Sequence, residues 1–404
     1  MGNGLQGVLL PVRAAAEEYS SFAIGIMGSA YFVGFAAGCL LGAHIVVRVG
    51  HIRSFAALVA ACSVLPLIHG IITEELVWWI ARAGTGFCFA GLYMIIESWL
   101  NEKATNESRG FVFSVYTVIN LTVVTIGQMM VTLSSVSTLL LFALASMLLS
   151  VSAIPVALTT ASAPASPAIV RLRLRHLAKI SPVGVVGCFG VGLTNGSFWS
   201  LAPVFAQTDV TDTTRVASFM SIVVIAGAIA QWPIGFLSDK MDRRRVIIGT
   251  CAAAAAAGIG LVFASQAAQV FLYVGAAAFG LSAFPIYSLC AAHLNDVVED
   301  DGFVEASSGL LLVYAAGAIV GPLIASFTMR STGVHALFMF TAGVHFLVGC
   351  FAVHRLTQRT AVIDEDRPAY SESVVMSQTI LEIDPMESDG DQTPTATKEL
   401  EKPH

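Results

Sequence analysis

Asn-Gly-Leu-Gln-Gly-Val-Leu-Leu-Pro-Val-Arg-Ala occupies residues 3–14, and Asn-Gly-Ser-Phe-Trp-Ser-Leu-Ala-Pro-Val-Phe-Ala occupies residues 195–206. The two stretches share Asn3/Asn195, Gly4/Gly196, Leu9/Leu201, Pro11/Pro203, Val12/Val204 and Ala14/Ala206, all at an offset of 192 residues. The same offset lays residues 49–53 (VGHIR) on 241–245 (MDRRR), and Gly110-Phe111-Val112 on Gly302-Phe303-Val304. At an offset of 194, residues 92–102 (LYMIIESWLNE) fall on 286–296 (IYSLCAAHLND). The chain is therefore one half written twice.

Its solvent follows from composition. Hydrophobic residues are 56% of the chain and charged residues 12%, against about 25% charged in soluble proteins. Eleven apolar runs, from Ile24–Val47 to Ala336–Val353, are each about 20 residues, enough to cross about 30 Å of hydrocarbon as helices. They lack the alternation of a membrane barrel, so helices must satisfy the backbone. An all-α membrane fold of parallel repeats is the architecture of many transporters. The stretch Met1–Val12 is too short to span alone. Its repeat counterpart begins near Ser181, so an upstream start that completes the first span is expected. Twelve spans in two six-helix bundles is the resulting expectation.

Lys and Arg set the orientation. With a cytoplasmic N-terminus, the inner loops carry Arg48, Arg53, Lys103, Arg109, Arg171, Arg173, Arg175, Lys179, Lys240, Arg243, Arg244 and Arg245. The outer loops carry only Arg13, Arg215 and Arg330. Residues 1–158 and 182–356 are then the two bundles, and 159–181 is a cytoplasmic linker. Residues 357–404 are rich in acids, Pro, Ser and Thr without an apolar period, which predicts a disordered cytoplasmic tail. The seven cysteines all fall within spans, so no disulfide framework is implied. No Cys/His ligand spacing, phosphate loop or dinucleotide fingerprint occurs. No metal, cofactor, nucleic acid or enzymatic activity is therefore expected, and ATP-driven pumping by this chain alone is disfavoured.

Residues 235–245 (GFLSDKMDRRR) resemble the signature loop of the major facilitator superfamily, G-x-x-x-D-R-x-G-R-R. A degraded copy is Arg48-Val-Gly-His-Ile-Arg53, and Arg82-Ala-Gly-Thr-Gly86 resembles the superfamily's helix 4 signature. QWPIGFLSDKMDRRR, FPIYSLCAAHLND and ASSGLLL are similar to the bacterial YcaD-like branch. The resemblance covers about residues 1–356. It implies a twelve-helix secondary transporter in the bacterial cytoplasmic (inner) membrane, with two bundles rocking about a midplane site. Two departures stand out. Val47 occupies the position that matches Asp239, where the family often has Asp, so an asymmetric inner gate is expected. In it Asp239 faces the start of the fifth helix near Arg109-Gly110-Phe111. The Gly-Pro pattern of drug antiporters is missing from helix 5, which reads Ile126-Gly127-Gln128, and a related pattern lies at Gly317–Pro322 on helix 11.

Ionisable groups inside spans are costly and so mark function by default. Arg82 is the foremost: it either faces the cavity and holds an anionic group or shifts with a coupled proton, or ties down carbonyls of helix 1 or 5. Its repeat position is Ala276 while Gly86 matches Gly280, so the architecture requires the glycine and not the arginine. The paired Asn3 and Asn195, with Trp199, Tyr93, Tyr287, Gln128 and Gln231, are the candidate pathway residues; interhelical bonding is the alternative. Tyr116 and Tyr314 belong to the same class. Glu97 lies fifteen residues from Arg82, roughly 22 Å along the axis, so its expected partner is Arg53, with proton carriage as the alternative. Arg48, Asp239, Lys240, Arg243, Arg244, His293 and Asp296 complete the candidate gate. Gly34, Gly38 and Gly42 are expected at close-packed faces.

The expected function is secondary transport of a small organic solute, anionic or zwitterionic, coupled to protons or moving down its own gradient. The expected partners are that solute and the lipid bilayer, with the protein a monomer. Proton-antiport efflux of drugs or metabolites, and a membrane receptor or sensor built on the same fold, are the alternatives.

Overall fold

The computed structural model describes residues 1–105, 108–159, 174–207, 212–298 and 303–358. The described residues form helices and no strand. The first half contains α1 (Gly2–Ala16), α2 (Ser21–Val49), α3 (His51–Ile71), α4 (Glu75–Lys103), α5 (Arg109–Met129) and α6 (Leu139–Ala157). A short α7 (Leu174–Ile180) leads into the second half: α8 (Pro182–Ala206), α9 (Thr213–Lys240), α10 (Arg243–Ala264), α11 (Gln269–Ala283), α12 (Pro285–Asn295), α13 (Phe303–Thr332) and α14 (Ala336–Gln358). Pro285, which has no N–H to give the preceding turn, divides α11 from α12, and together they make one span. Eleven segments are long and apolar enough to cross a membrane. The expected eleven runs are all present, and α1, at 15 residues, stands beside them. Most of the linker and the acidic tail from residue 359 on lie outside the described residues; residues 357 and 358, expected in the tail, close α14.

Helix ends are written into the sequence. Ser20, Ser181, Asp212 and Asp242 each accept a backbone N–H at the start of α2, α8, α9 and α10, the usual role of these side chains at an N-cap. Gly50 at φ 93° turns α2 into α3 in a single residue, a conformation open to glycine without strain. Along α2, Gly34 and Gly38 lie against the α4 backbone at Ala83 and Phe87, the close packing expected of them.

Within the first half, α2 packs on α4, α3 on α4 and α6, and α1 on α5 and α6. Within the second, α8 packs on α13 and α14, α10 on α11 and α14, and α9 on α11. The halves meet through α2 against α13 and α8, α5 against α9, and α1 against α8. The loops carrying Arg48, Arg53, Lys240 and Arg243–Arg245 share one face, the basic side; the α1–α2, α3–α4 and α8–α9 connections share the other, the far side. The named contacts between halves lie in the far-side parts of these helices. Ser29 Oγ donates to the Ile319 carbonyl at 2.7 Å, and Ser221 Oγ donates to Gln128 Oε1 at 3.4 Å. Gly25 and Gly28 bring α2 onto Pro322, Ser326 and Ser200; a Cβ on Gly25 would stand 2.7 Å from the Pro322 carbonyl oxygen. A far-side seam thus closes over the space between the halves.

Candidate functional site

Beneath that seam is a cavity lined by residues of α1, α2, α4, α5, α8 and α13. Four candidate pathway residues converge on it from four helices: Asn3 of α1, Arg82 of α4, Gln128 of α5 and Trp199 of α8, joined by Tyr314 of α13. Arg82 stands two turns into α4. Its guanidinium carbon lies 4.4 Å from the centre of the Tyr31 ring on α2, a cation–π contact. Its Nη1 is buried without a hydrogen-bond partner. Among the described residues no carboxylate pairs with it. Arg82 as a whole is half-buried, but a buried guanidinium nitrogen with a donor to spare is costly unless something else supplies the acceptor.

The other candidates fall just behind this wall. Tyr93 accepts a long contact from Asn3 Nδ2 at 3.5 Å, which positions the Asn3 amide at the cavity floor. Asn195 is buried beside the Tyr314 hydroxyl, and Tyr287 packs edge-on against the Tyr314 ring at 5.5 Å. Gln231 is buried in α9, away from the cavity lining. The sequence reading missed Tyr31, Phe35, Met27 and Ser200, all of which line the cavity. An aromatic or a serine inside an apolar helix reads as packing, and nothing local tells Tyr31 that Arg82 stands opposite.

On the basic side the candidate gate residues divide into an ordered and an open set. In the second half, Arg243 is 2% exposed and sits between two acids: Nη2 is 3.2 Å from Asp239 and Nε is 2.9 Å from Asp296 Oδ2. The latter is a charge contact whose angle falls short of a hydrogen bond. The cluster ties the end of α9, the start of α10 and the end of α12. Arg244 grips Asp242 through Nε at 3.1 Å and Nη2 at 2.8 Å. Burial opposes the Asp242 carboxylate, but the Arg244 bonds outweigh it and hold the pKa below its usual 3.8, with a further contribution from His293. Lys240 lies over the Phe236 ring at 4.0 Å.

In the first half, among the described residues, no acid pairs with Arg48 or Arg53. Arg48 and Arg53 are exposed. The expected Arg53–Glu97 pair does not form: Arg53 leaves the first turn of α3 towards solvent, while Glu97 is buried on the α5-facing side of α4 and accepts from the Tyr116 hydroxyl at 3.5 Å. Val47 is exposed and brings no charge. Asp239 is engaged with Arg243; the side chains of Arg109 and Gly110, where its partner was expected, lie outside the described residues. Among the described residues no cluster of His, Cys, Asp or Glu has the makings of a metal site.

Comparison with known proteins places this geometry. The sequence pattern of the Major Facilitator Superfamily matches residues 1–304 and 185–378. The chain is 29% identical over 349 residues to the MFS-type transporter YcaD of Escherichia fergusonii, covering 84% of this chain and 88% of that one. It is 28% identical over 355 residues to YcaD of Shigella flexneri, with the same coverage. Among solved structures it resembles the nucleoside transporter NupG (TM-score 0.70, 14% identity, 89% of this chain and 98% of that one). It also resembles a bacterial homolog of the human lysosomal transporter Spinster (TM-score 0.71, 14% identity, 89% and 94%). The repeat, the eleven spans, the paired halves and these matches together make the chain a multi-pass membrane protein that belongs to the major facilitator superfamily.

Proposed function

We propose that the protein is a secondary transporter that carries a small organic anion across the bacterial cytoplasmic membrane by alternating access. The carrying observation is Arg82, half-buried, with its Nη1 donor buried and unpartnered and, among the described residues, no carboxylate pairing with it, at a cavity between the halves. A solute that brings its own negative charge satisfies that donor. The Lys and Arg distribution makes the basic side cytoplasmic, so a closed far-side seam corresponds to an inward-facing state. Residues 1–158 and 182–356 are the two bodies that rock, with the Arg243 cluster stiffening the cytoplasmic end of the second. An uncharged solute such as a nucleoside, the cargo of NupG, leaves that donor unmet.

Uptake in proteoliposomes, with and without an imposed pH gradient, tests the reading and decides between proton coupling and downhill movement. Arg82→Ala is expected to cut transport by roughly ten- to a hundredfold, since a bond to a charged group contributes about 1.5–3 kcal/mol. Arg82→Lys keeps the charge but loses the planar fork and is expected to be strongly impaired, with both variants inserted at normal levels. Wild-type uptake by Arg82→Ala sinks the assignment.

A further inference from the structure

The lining of the cavity narrows the solute further, on the premise that this cavity is the transport site. We propose that it takes an aromatic monocarboxylate. Charge comes first. Among the described residues, Arg82 is the only basic side chain on the lining, and no acidic side chain lines it. One carboxylate fulfils the unpartnered Nη1. A second carboxylate would be buried without a cation, and an ammonium would be buried beside Arg82 without an anion; both are costly in a low-dielectric site. The lining therefore admits a net charge of −1 and disfavours dianions, amines and zwitterions.

Shape comes second. Tyr31 and Phe35 on α2 present rings inclined by only 27° with centres 6.1 Å apart, and both line the cavity. Across the gap, Trp199 of α8 is held edge-on by Phe198 and Phe284 at 5.4 and 6.1 Å. Rings from opposite halves thus face one space. A planar ring seated there contacts both halves at once, and its π-face is worth more than its area: aromatic pairs add about 0.5–1.5 kcal/mol beyond burial. The carboxylate end lies towards Arg82 because Tyr31, which stacks under the guanidinium, also begins the aromatic wall. Asn3 and Gln128 offer amide groups alongside for a polar ring substituent.

The test is calorimetric titration of the detergent-purified full chain with matched probes: phenylacetate, cyclohexylacetate, phenylethylamine, phenylalanine, phenylsuccinate and acetate. Phenylacetate is expected to bind saturably, at least about tenfold tighter than the amine, the zwitterion and the dianion, and about three- to tenfold tighter than cyclohexylacetate. Arg82→Gln is expected to lose phenylacetate binding by at least about tenfold with its melting temperature retained. Phe35→Leu should erase the preference for phenylacetate over cyclohexylacetate while leaving binding of the latter in place. Equal binding of cyclohexylacetate and phenylacetate, with both lost in Arg82→Gln, overturns the aromatic inference and leaves anion transport standing. Tighter binding of the amine or the zwitterion, or an unchanged Arg82→Gln, overturns both. Failure of every probe to bind up to about 1 mM, from a chain that melts cooperatively, also overturns the inference.

Discussion

Asp296→Asn is the sharpest test of the clasp on the basic side. It removes the charge 2.9 Å from Arg243 Nε and leaves a guanidinium that is 2% exposed with Asp239 as its remaining named acid. Removing one partner of a buried pair costs about 3–5 kcal/mol. The low end, about 3 kcal/mol, applies here because Asp239 still contributes and is itself partly solvated, where charge is worth less. For a unit the size of the second half, 1 kcal/mol moves the melting midpoint by about 2–4 °C, so the expected shift is roughly 6–12 °C. A thiol-reactive fluorogenic maleimide reads it well, because Cys62, Cys88, Cys188, Cys251 and Cys290 are buried and react on unfolding. Arg243→Met should be at least as damaging, since it leaves two acids facing each other. Arg243→Met combined with Asp296→Leu should recover much of the loss, because a well-packed apolar pair replaces a buried ion pair at little cost. A shift below about 2 °C for Asp296→Asn, or a double variant no better than the worse single, would refute the reasoning that this pair is buried and structural.

Gly25→Val should hold the far side apart, because even a Cβ there crowds the Pro322 carbonyl and the Ser326 side chain; Met27→Cys, on the cavity lining, should then be labelled faster by an impermeant maleimide added from the far side. Unchanged labelling would mean the seam does not close the cavity. Asp242→Asn keeps the N-cap and removes the Arg244 pairing. Because the folded pKa of Asp242 lies below 3.8, the carboxylate's contribution is full above 3.8 and is lost as pH falls through the folded value. The melting gap between wild type and Asp242→Asn should therefore be widest near neutrality and close in strong acid; a constant gap would assign the effect to something other than ionisation. Deleting residues 360–404 should leave melting temperature and basal transport unchanged, since their acidic composition without an apolar period offers little surface to bury; loss of transport in a well-inserted truncation would revive the sensor reading.

The apolar run lengths in the sequence carried the spans, because length and hydropathy form a local pattern with one physical solution. Arg82 was legible for a similar reason: a charge in hydrocarbon has few places to go. Rotation about helix axes was not legible. Arg53 and Glu97 sit at the same level, yet one points to solvent and the other to α5, and spacing along the chain cannot say so. The Arg243–Asp296 contact was missed because it joins residues from two loops whose proximity exists only once α9, α10 and α12 are packed. Tyr31 was missed because its neighbour across the gap, not its own helix, gives it a role.

Gln128 belongs to two structures at once. Its side chain lines the cavity, and its carbonyl oxygen accepts the Ser221 hydroxyl across the seam. A guest that donates a hydrogen bond to this oxygen draws on the acceptor that Ser221 uses, and so bears on one of the two named hydrogen bonds between the halves, each worth about 1 kcal/mol in a membrane. Cavity and seam thus share one side chain.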